Sequence, residues 1–312
     1  MIRYIKNSGI DNKKWDNCIK KSVNGNPYAL SWYLDIIHGE WEALVEGDYE
    51  RVMPLTGKKK YGIWYLYQPY FAQQLGVFST EKLNPETVKN FLRAIPPQYR
   101  YVDINLNSFN KIEGEEYEII YNSNYMLDLI HDYEKISVAY SKNTKRNLKK
   151  SRLHRLSMMK GVKPEELIRL FRENRGRTLK KWGEIQYRHL GRLMYSSIYK
   201  GKGVIYGVYD ERNQLCAGAF FVKSNNRLIF LFSGTSEKGR EVAAMTYLID
   251  GVIEEFTPSR LVLDFEGSNN PDLARFYKGF GAKETHYPRL RINKLRFPAR
   301  QVHFVYDLLK KK

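Results

Sequence analysis

Two carboxylates and a group of aromatic residues lie close together in LDFEGSNNPDLARFYKGFGAK, residues 263–283. Apolar residues precede and alternate with Asp264 and Glu266, which predicts that a strand ends there. Alternate side chains of a strand share one face, so we expect both carboxylates to point the same way. Carboxylates in this arrangement could orient an ammonium group or relay its proton. Each could equally cap the next helix or pair with a neighbouring Arg or Lys.

A basic segment near the middle of the chain, SKNTKRNLKKSRLHR at residues 141–155, predicts a helix with a charged stripe. Lys142, Lys145, Arg146 and Lys149 recur at spacings of three and four residues, which places them on one helical face. Such a stripe could bind the phosphates of tRNA or of a lipid-linked substrate. A charge run on a helix is also commonly no more than a solvated face, and both interpretations stay open.

Aromatic residues concentrate between Tyr61 and Phe78, in YGIWYLYQPYFAQQLGVF. Rings of this kind could stack on bases or sugars. A buried pair of strands would use the same residues for packing, so the run does not choose between the two interpretations.

The sequence lacks the motifs of several other chemistries. It has no HExxH, no paired CxxC, no Walker A and no G-x-S-x-G stretch. Its six histidines, at positions 38, 131, 154, 189, 286 and 303, show no metal-ligand spacing. We therefore expect neither a bound metal nor a covalent nucleophile.

The composition is that of a globular and strongly basic chain. Of its 312 residues, 43% are hydrophobic and 14% are aromatic, which is enough for one large domain or two of ordinary size. Lys and Arg total 52 against 34 acidic residues, and the net charge of +18 favours partners that carry phosphate. With only Cys18 and Cys216, a reducing cytoplasm is the expected location. No apolar run approaches the roughly 18 residues of a membrane span, so we expect no integral membrane contact.

The predicted elements follow a similar order twice. Each half runs strand, two helices, three strands, helix, strand and closing strands, with the basic segment between the halves. The first half closes with separate strands at YEII and YMLDL. In the second half a long helix is predicted at 240–256 and a last strand, QVHFVYDLL, at 301–309. Mixed α/β chains also produce such an order by chance.

This order and the segment NNPDLARFYKGFGAK resemble the GNAT acyl-CoA N-acyltransferase fold. The residues that carry the resemblance are Asn269 or Asn270, Ala274, Tyr277 and the pair Gly279-Phe280. Two such halves joined by a basic helix resemble the FemAB-like branch, which includes aminoacyl-tRNA-dependent peptidyltransferases. The resemblance implies an α/β (mixed α+β) fold of tandem GNAT-like domains, each a twisted, mostly antiparallel mixed sheet flanked by helices. It places the halves at residues 1–130 and 131–312, with the active site in the second.

The resemblance also implies roles for individual residues. In the GNAT fold the fourth and fifth strands splay apart, and the acyl donor and the acceptor amine meet in the gap. Asp264 and Glu266 would lie at the mouth of that gap, and Tyr277 would protonate the departing thiolate. The other explanation is that Tyr277 only packs on the sheet, as many tyrosines would in a chain that contains 24 of them. The residues expected to contact substrate are Trp182, Tyr187, Lys145 and Arg146.

The loop that binds the cofactor pyrophosphate in GNAT proteins departs from its usual pattern here. That loop reads Arg or Gln, two residues, Gly, one residue, then Gly or Ala, whereas SGTSEKGREVAAM has Arg240 followed by Ala243 and Met245. The helix that follows could still bind an anion through free N–H groups, with Lys238 and Arg240 adding charge. The residues expected to bind the cofactor are Ser233, Gly234, Lys238, Gly239, Arg240, Ala243, Asn269 and Asn270.

Three functions are consistent with these patterns. The first is an N-acyltransferase that moves an acyl group from acyl-CoA to an amine of a small molecule, a peptide or an envelope precursor. The second is a FemAB-type transferase that uses aminoacyl-tRNA, which the net charge, the basic stripe and the altered loop favour. The third is a non-catalytic basic module that binds nucleic acid or an envelope polymer.

Overall fold

The computed structural model describes residues 1–112, 116–179, 182–267 and 269–295. The chain divides into two compact units. Of the described residues, the first unit contains those in 1–122 and 287–295, and the second contains those in 123–286. The predicted halves met at residue 130. In the structure the chain leaves the first unit after Asn122 and returns to it at Tyr287.

The first unit is built on two groups of paired strands. Its described strands are β1 (Ile2–Ile5), β2 (Glu42–Glu46), β3 (Arg51–Leu55), β4 (Gly57–Lys60), β5 (Ile63–Tyr67), β6 (Phe78–Ser79) and β7 (Tyr99–Asn105). Its described helices are α1 (Asn12–Lys21), α2 (Ser31–Ile37) and α3 (Pro85–Arg93), with short 3-10 segments at Asn7–Gly9 and Pro27–Ala29. Strands β1, β2, β3 and β6 form an antiparallel sheet in that order. Strand β4 pairs antiparallel with β5, which runs parallel to β7.

Polar side chains cap helices α1 and α3 of the first unit. Asp11 accepts hydrogen bonds from the backbone N–H groups of Lys13 and Lys14 at the start of α1. At the start of α3, Asn84 accepts from the N–H of Thr87 at 2.7 Å, and Pro85 takes the first helical position. These bonds satisfy N–H groups that have no acceptor within the helix, which fixes where each helix begins.

The second unit contains one mixed sheet with helices packed against it. Its described elements continue as β8 (Glu118–Asp128), α4 (Tyr133–Val138), α5 (Lys142–Arg152), β9 (Ser157–Lys160), α6 (Pro164–Glu173), a 3-10 turn (Arg175–Thr178), α7 (Glu184–Tyr199), β10 (Gly203–Tyr209), β11 (Leu215–Ser224), β12 (Arg227–Thr235), α8 (Glu237–Glu241), α9 (Ala244–Phe256), β13 (Val262–Asp264), α10 (Pro271–Lys278) and β14 (Lys283–Asn293). Strand β8 enters from the first unit, and β14 ends in it. The sheet order is β8–β13–β12–β11–β10–β9, with β12 and β13 parallel and the other neighbours antiparallel. The predicted fold class, a mostly antiparallel mixed sheet flanked by helices, is confirmed.

The core of the second unit lies between this sheet and helices α9 and α10. Apolar side chains from β11, β13 and α9 are fully buried there, including Phe221, Leu248 and Leu263. Phe265 and Phe280 are also fully buried, and their ring centroids lie 6.2 Å apart. This core therefore holds the end of β13 and the C-terminal end of α10 close together.

Several element boundaries differ from the sequence prediction. The predicted helix 240–256 is two helices, α8 and α9, because Ala243 adopts the left-handed conformation with φ 56°. The predicted strands YEII and YMLDL are one strand, β8, and the polar residues between them lie within it. Neither α4 nor β4 was predicted. The predicted strand QVHFVYDLL lies outside the described residues.

Candidate active site

Strands β12 and β13 run side by side for only three residues. Residues 227–229 pair in parallel with residues 262–264. Strand β13 ends at Asp264, whereas β12 continues to Thr235. Pairing therefore stops at Ile229 and Asp264, and the paths of the two segments diverge from this point because β12 continues as a strand and β13 does not. The GNAT resemblance implies that donor and acceptor meet at such a point.

A β-bulge lies where the divergence begins. Phe221 of β11 pairs with Phe230, and Phe220 pairs with Phe232, so Leu231 is an extra residue in β12. A bulge bends its strand and increases the local twist. The bulge therefore bends β12 close to the place where its pairing with β13 ends. The sequence prediction missed this feature, because Leu231 looks like any other apolar strand residue.

The chain turns sharply after β13. The N–H of Phe265 still donates to the carbonyl of Tyr125 at 3.0 Å, but Glu266 and Gly267 have φ values of 54° and 39°. A Cβ atom on Gly267 would lie 2.3 Å from the Cα of Asn124, so only glycine fits this close approach. Glu266 therefore does not share a strand face with Asp264 as the sequence predicted, because β13 ends at Asp264.

Asp264 is a buried, fully engaged carboxylate. Its side chain is hydrogen-bonded to Asn124 at 3.0 Å and ion-paired with Arg227 at 3.0 Å. It also accepts a hydrogen bond of 3.0 Å from the N–H of Glu266. These contacts match the alternative to a catalytic role that the sequence left open. Asp264 pairs with a neighbouring arginine and fixes the turn that follows. Arg227 and Asn124 were not anticipated, since they lie far from Asp264 in sequence.

Tyr277 lies in an aromatic cluster at the point of divergence. Its ring stacks on that of Phe265, with centroids 4.8 Å apart and planes 22° apart. The ring of Phe230, on β12 just after the last residue paired with β13, meets it edge-on at 6.3 Å. Burial raises the pKa of the Tyr277 phenol, and the charge of Glu266 raises it further. The phenol, like that of an unperturbed tyrosine, is protonated at neutral pH.

The two asparagines of the motif hold the loop and the helix. Asn270 caps α10 by accepting from the N–H groups of Asp272 at 2.9 Å and Leu273 at 3.2 Å. The side-chain oxygen of Asn269 accepts from the N–H of Ser123 at 3.0 Å. Both residues were predicted to bind a cofactor. The described contacts give each a role in positioning α10, and cofactor binding stays a prediction.

The predicted cofactor loop runs from the end of β12 through α8 to the start of α9. A Cβ atom on Gly234 would meet the backbone N of Phe171 at 3.1 Å, and one on Gly239 would meet the carbonyl oxygen of Cys216 at 2.1 Å. Both glycines thus allow close packing within the protein. Ser233 pairs with Ala219 inside the sheet.

Helix α9 begins without a side-chain cap. Ala243 occupies the cap position in the left-handed conformation, and no side chain bonds to the first N–H groups of the helix. The N–H groups of residues 244–246 have no acceptor within the helix. Arg240, which lies before this point, donates to the carbonyl of Thr235 at 3.2 Å. Uncapped N–H groups at a helix start are what the loop prediction required, and anion binding at this place stays a prediction.

A cavity of about 480 Å³ lined by charged side chains of both signs lies beside the loop. Lys238 lines it together with Arg155 and Arg212, and Val242 forms part of its wall one residue before Ala243. The side chain of Asp210, also in the lining, accepts hydrogen bonds from the N–H groups of Arg212 and Gln214 in its own turn. Glu211 also lines the cavity, so three positive and two negative side chains lie close to the start of α9.

The basic stripe lies on the solvent face of α5. Thr144, Leu148 and Ser151 point inward, and Lys145 and Arg146 are exposed. Lys145 donates to the carbonyl of Val138 at 2.7 Å. Residues 141–155 contain seven Lys and Arg residues and no Asp or Glu. Among the described residues, no carboxylate forms an ion pair with any of these seven.

Trp182 and Tyr187 form part of a second aromatic cluster. Their ring centroids lie 5.5 Å apart, and Trp182 lies 5.2 Å from Phe171 and 6.1 Å from Phe232 of β12. Arg172 lies over the Tyr187 ring at 4.4 Å. The structure thus brings these two predicted substrate residues together, beside the part of β12 that has diverged from β13.

Two kinds of site are absent from the residues that the structure describes. No cluster of three or more His, Cys, Asp or Glu side chains in those ranges could hold a metal ion. None of the described helices is both long and apolar enough to cross a membrane.

Comparison of the structure with solved structures shows the fold. No protein-family model matches the sequence, and no curated protein sequence is similar to it. The crystal structure of FemX aligns with a TM-score of 0.64 at 12% identity, covering 94% of this chain and 98% of FemX. L-PGS from Bacillus licheniformis aligns with a TM-score of 0.55 at 15% identity over 96% of each chain. A conserved protein of unknown function from Bacteroides thetaiotaomicron aligns at 0.58 and 8% identity, over 93% of this chain and 100% of that one. The chain therefore shares the fold of FemX and L-PGS, and the predicted GNAT-like fold is confirmed.

Proposed function

We propose that the chain transfers an acyl or aminoacyl group to an amine. The observation that carries the proposal is the position of Tyr277 between Phe230 and Phe265, where β12 and β13 diverge. Like any tyrosine, Tyr277 holds its proton at neutral pH, and burial, which raises its pKa, makes it a weaker acid that suits a strongly basic leaving group. The fold shared with FemX and L-PGS is consistent with this chemistry.

The described contacts support different roles for the two acids. Asp264 is held by Arg227 and Asn124, which suits a positioning residue. Glu266 lies outside the strand and close enough to raise the pKa of Tyr277. In the proposed step the amine nitrogen bonds to the acyl carbonyl carbon, and the amine proton passes to Glu266. The bond to the leaving sulfur or oxygen breaks, and Tyr277 protonates that atom.

Acyl-CoA is the first candidate donor. The uncapped start of α9, with Lys238 and Arg240 before it, can bind phosphate through backbone N–H groups and positive charge. Ala243 stands where GNAT proteins have glycine, and Gly234 and Gly239 are used for internal packing. These residues allow less close approach of a pyrophosphate than a glycine-rich loop would.

Aminoacyl-tRNA is the second candidate donor, and a specific observation favours it. Helix α5 carries six positive charges and Arg155 follows it, and none of the seven has an ion-paired acid among the described residues. The cavity beside it adds Arg212 and Lys238, against Asp210 and Glu211. Extended phosphate backbones bind such surfaces through counterion release. The leaving group would then be a ribose hydroxyl, whose high pKa makes protonation by Tyr277 more important. The acceptor in either case is an amine of a small molecule, a peptide or an envelope precursor.

Thermal shift measurements separate these donors. A ligand that binds only the folded state at about 100 times its Kd adds about 2.7 kcal/mol to the free energy of unfolding. Stabilisation by acetyl-CoA or longer acyl-CoAs at moderate salt supports the first donor, and stabilisation by charged tRNA but not by heparin supports the second. An equal, salt-sensitive response to tRNA and heparin, with no transfer to any amine, would contradict the proposal and favour a non-catalytic basic module.

A pair of double variants tests the α5 face. Lys142→Gln with Lys149→Gln removes two charges from the stripe, and Lys13→Gln with Lys21→Gln removes two exposed charges from α1. If the stripe binds tRNA, only the first pair should weaken binding and reduce the salt slope, by about one unit for each lost phosphate contact. Equal losses in both pairs would show that net charge alone is responsible.

A further inference from the structure

Strands β4 and β5 form a basic, aromatic hairpin at residues 57–67 of the first unit. Three consecutive lysines, Lys58 to Lys60, occupy β4, and the segment contains no Asp or Glu. In the described part of the chain, β4 is paired on one side only, and none of the three lysines has an ion-pair partner. The hairpin is therefore an exposed edge with uncompensated positive charge, and the proposed transfer reaction does not use it.

Each of these lysines lies over an aromatic ring of the same hairpin. Lys58 lies 5.1 Å from the ring centroid of Tyr67, Lys59 lies 5.8 Å from Trp64, and Lys60 lies 5.2 Å from Tyr61. Exposed cation–π pairs are weak interactions, so packing alone explains little of this arrangement. The side chains of Trp64 and Tyr61 remain 37% and 90% exposed.

The tip of the hairpin departs from what its turn favours. Lys60 pairs with Ile63, so the loop consists of two residues, Tyr61 and Gly62, and both have positive φ, at 49° and 78°. Two-residue turns of this kind favour Asn-Gly, because a bulky side chain is disfavoured at positive φ. Tyr61 thus occupies a strained position with its ring in solvent. Strain of this kind is found where a side chain serves a purpose other than stability.

We propose that the hairpin docks the protein on an anionic lipid membrane surface. Tyr and Trp side chains favour the depth of the lipid headgroups, and lysines beside them bind the negative surface. Three uncompensated lysines complement that charge, and a narrow tip that carries Tyr61 suits entry into a soft interface. A platform for single-stranded nucleic acid would instead present open ring faces, whereas lysine side chains cover these rings. Binding is peripheral and independent of the donor and acceptor of the proposed reaction.

Vesicle co-sedimentation of the full chain tests this inference. The wild type should partition to vesicles of phosphatidylcholine with 30% phosphatidylglycerol and not to pure phosphatidylcholine. Electrostatic attraction of each lysine should raise the partition coefficient about 5-fold. Lys58→Gln, Lys59→Gln and Lys60→Gln together should reduce the partition coefficient by roughly 100-fold. The matched control, Lys13→Gln, Lys21→Gln and Lys82→Gln, removes three exposed charges elsewhere in the first unit and should change it much less.

Tyr61→Asn provides a test that a purely structural role would not pass. It should raise the melting temperature, because Asn is favoured at that turn position, and lower vesicle binding several-fold. Lower stability with unchanged vesicle binding would overturn the inference. Equal losses in the hairpin and control triple variants would also overturn it, as would hairpin-dependent binding of a 20-nucleotide single-stranded RNA without vesicle binding.

Discussion

The ring of Tyr277 lies nearly parallel to that of Phe265, with centroids 4.8 Å apart, directly beyond the last residue pair that joins β12 to β13. This stack gives Tyr277 two separable properties. The ring contributes packing, and the hydroxyl contributes a proton that burial makes harder to remove. A substitution that keeps the ring and removes the hydroxyl distinguishes them.

Tyr277→Phe should retain the stack and lose at most one hydrogen bond, about 1 kcal/mol of the free energy of unfolding. If the phenol is the general acid, kcat should fall 10- to 10⁴-fold while the melting temperature changes little. Tyr125→Phe is the matched control, since its ring lies 6.0 Å from that of Tyr277 in the same cluster. Unchanged kcat in Tyr277→Phe would remove the catalytic assignment.

The two acids after β13 should respond differently to loss of charge. Asp264→Asn leaves Arg227, whose side chain is only 22% exposed, without its carboxylate, so we expect a loss of roughly 3 kcal/mol of stability. Glu266→Gln should lower kcat with little change in the melting temperature. Denaturant unfolding and kcat measured on both variants check this. Adding Arg227→Met to Asp264→Asn should recover part of the lost stability, and a further loss would contradict the ion-pair explanation.

The buried imidazole of His38 should make the stability of the protein depend on pH. Burial lowers its pKa from 6.5 to about 4, with the charge of Lys58 acting in the same direction. Between these values the unfolded chain binds a proton that the folded chain does not, so stability falls as pH falls, by roughly 3 kcal/mol in total. Below about pH 4 this contribution stays constant.

His38→Phe should remove that part of the pH dependence, because the ring that packs beside Tyr67, at 5.6 Å, is kept without its titrating nitrogens. His154→Phe, at an exposed position, is the control and should leave the slope unchanged. Unfolding by urea at several pH values between 4 and 7 measures both. The same slope in wild type and His38→Phe would assign the pH dependence to other groups.

Ala243→Gly should stabilise the protein and test the donor at the same time. Glycine adopts the φ of 56° without strain, so we expect a gain of about 1 kcal/mol. It also restores a glycine where GNAT proteins bind pyrophosphate. The KM for an acyl-CoA should fall if that compound is the donor, and an unchanged KM for charged tRNA serves as the comparison. A lower melting temperature would show that the methyl group of Ala243 makes packing contacts that stabilise the protein.

Local signals in the sequence were sufficient for most of the architecture. Cap residues and apolar periodicity located α1, α3, α5 and α10, since these depend on neighbours a few residues away. The run of asparagine and serine in β8 was interpreted as a break. Its Asn124 in fact bonds to Asp264, at a separation of 140 residues, and no local pattern reveals such a contact.

The candidate site was predictable in outline and not in detail. The structure places Tyr277 beside Phe230 of β12, just past the last residues that pair with β13, and its catalytic role stays a prediction. Three features that shape the site have no signal in residue type: the extra residue Leu231, the left-handed Ala243 and the ion pair of Asp264 with Arg227. Each depends on backbone geometry or on a distant partner, so composition and spacing carry no trace of it.

The return of the chain to the first unit at Tyr287 affects the order in which the protein can fold during synthesis. Strand β7 needs residues 289–293 of β14 as a partner, and the Arg289–Asp103 ion pair spans 186 residues. A growing chain therefore exposes one edge of β7 until all of the second unit has been translated. Residues 123–286 form a continuous segment and can complete their own sheet first. A released chain that ends at residue 286 should contain a protease-resistant second unit and an incomplete first one.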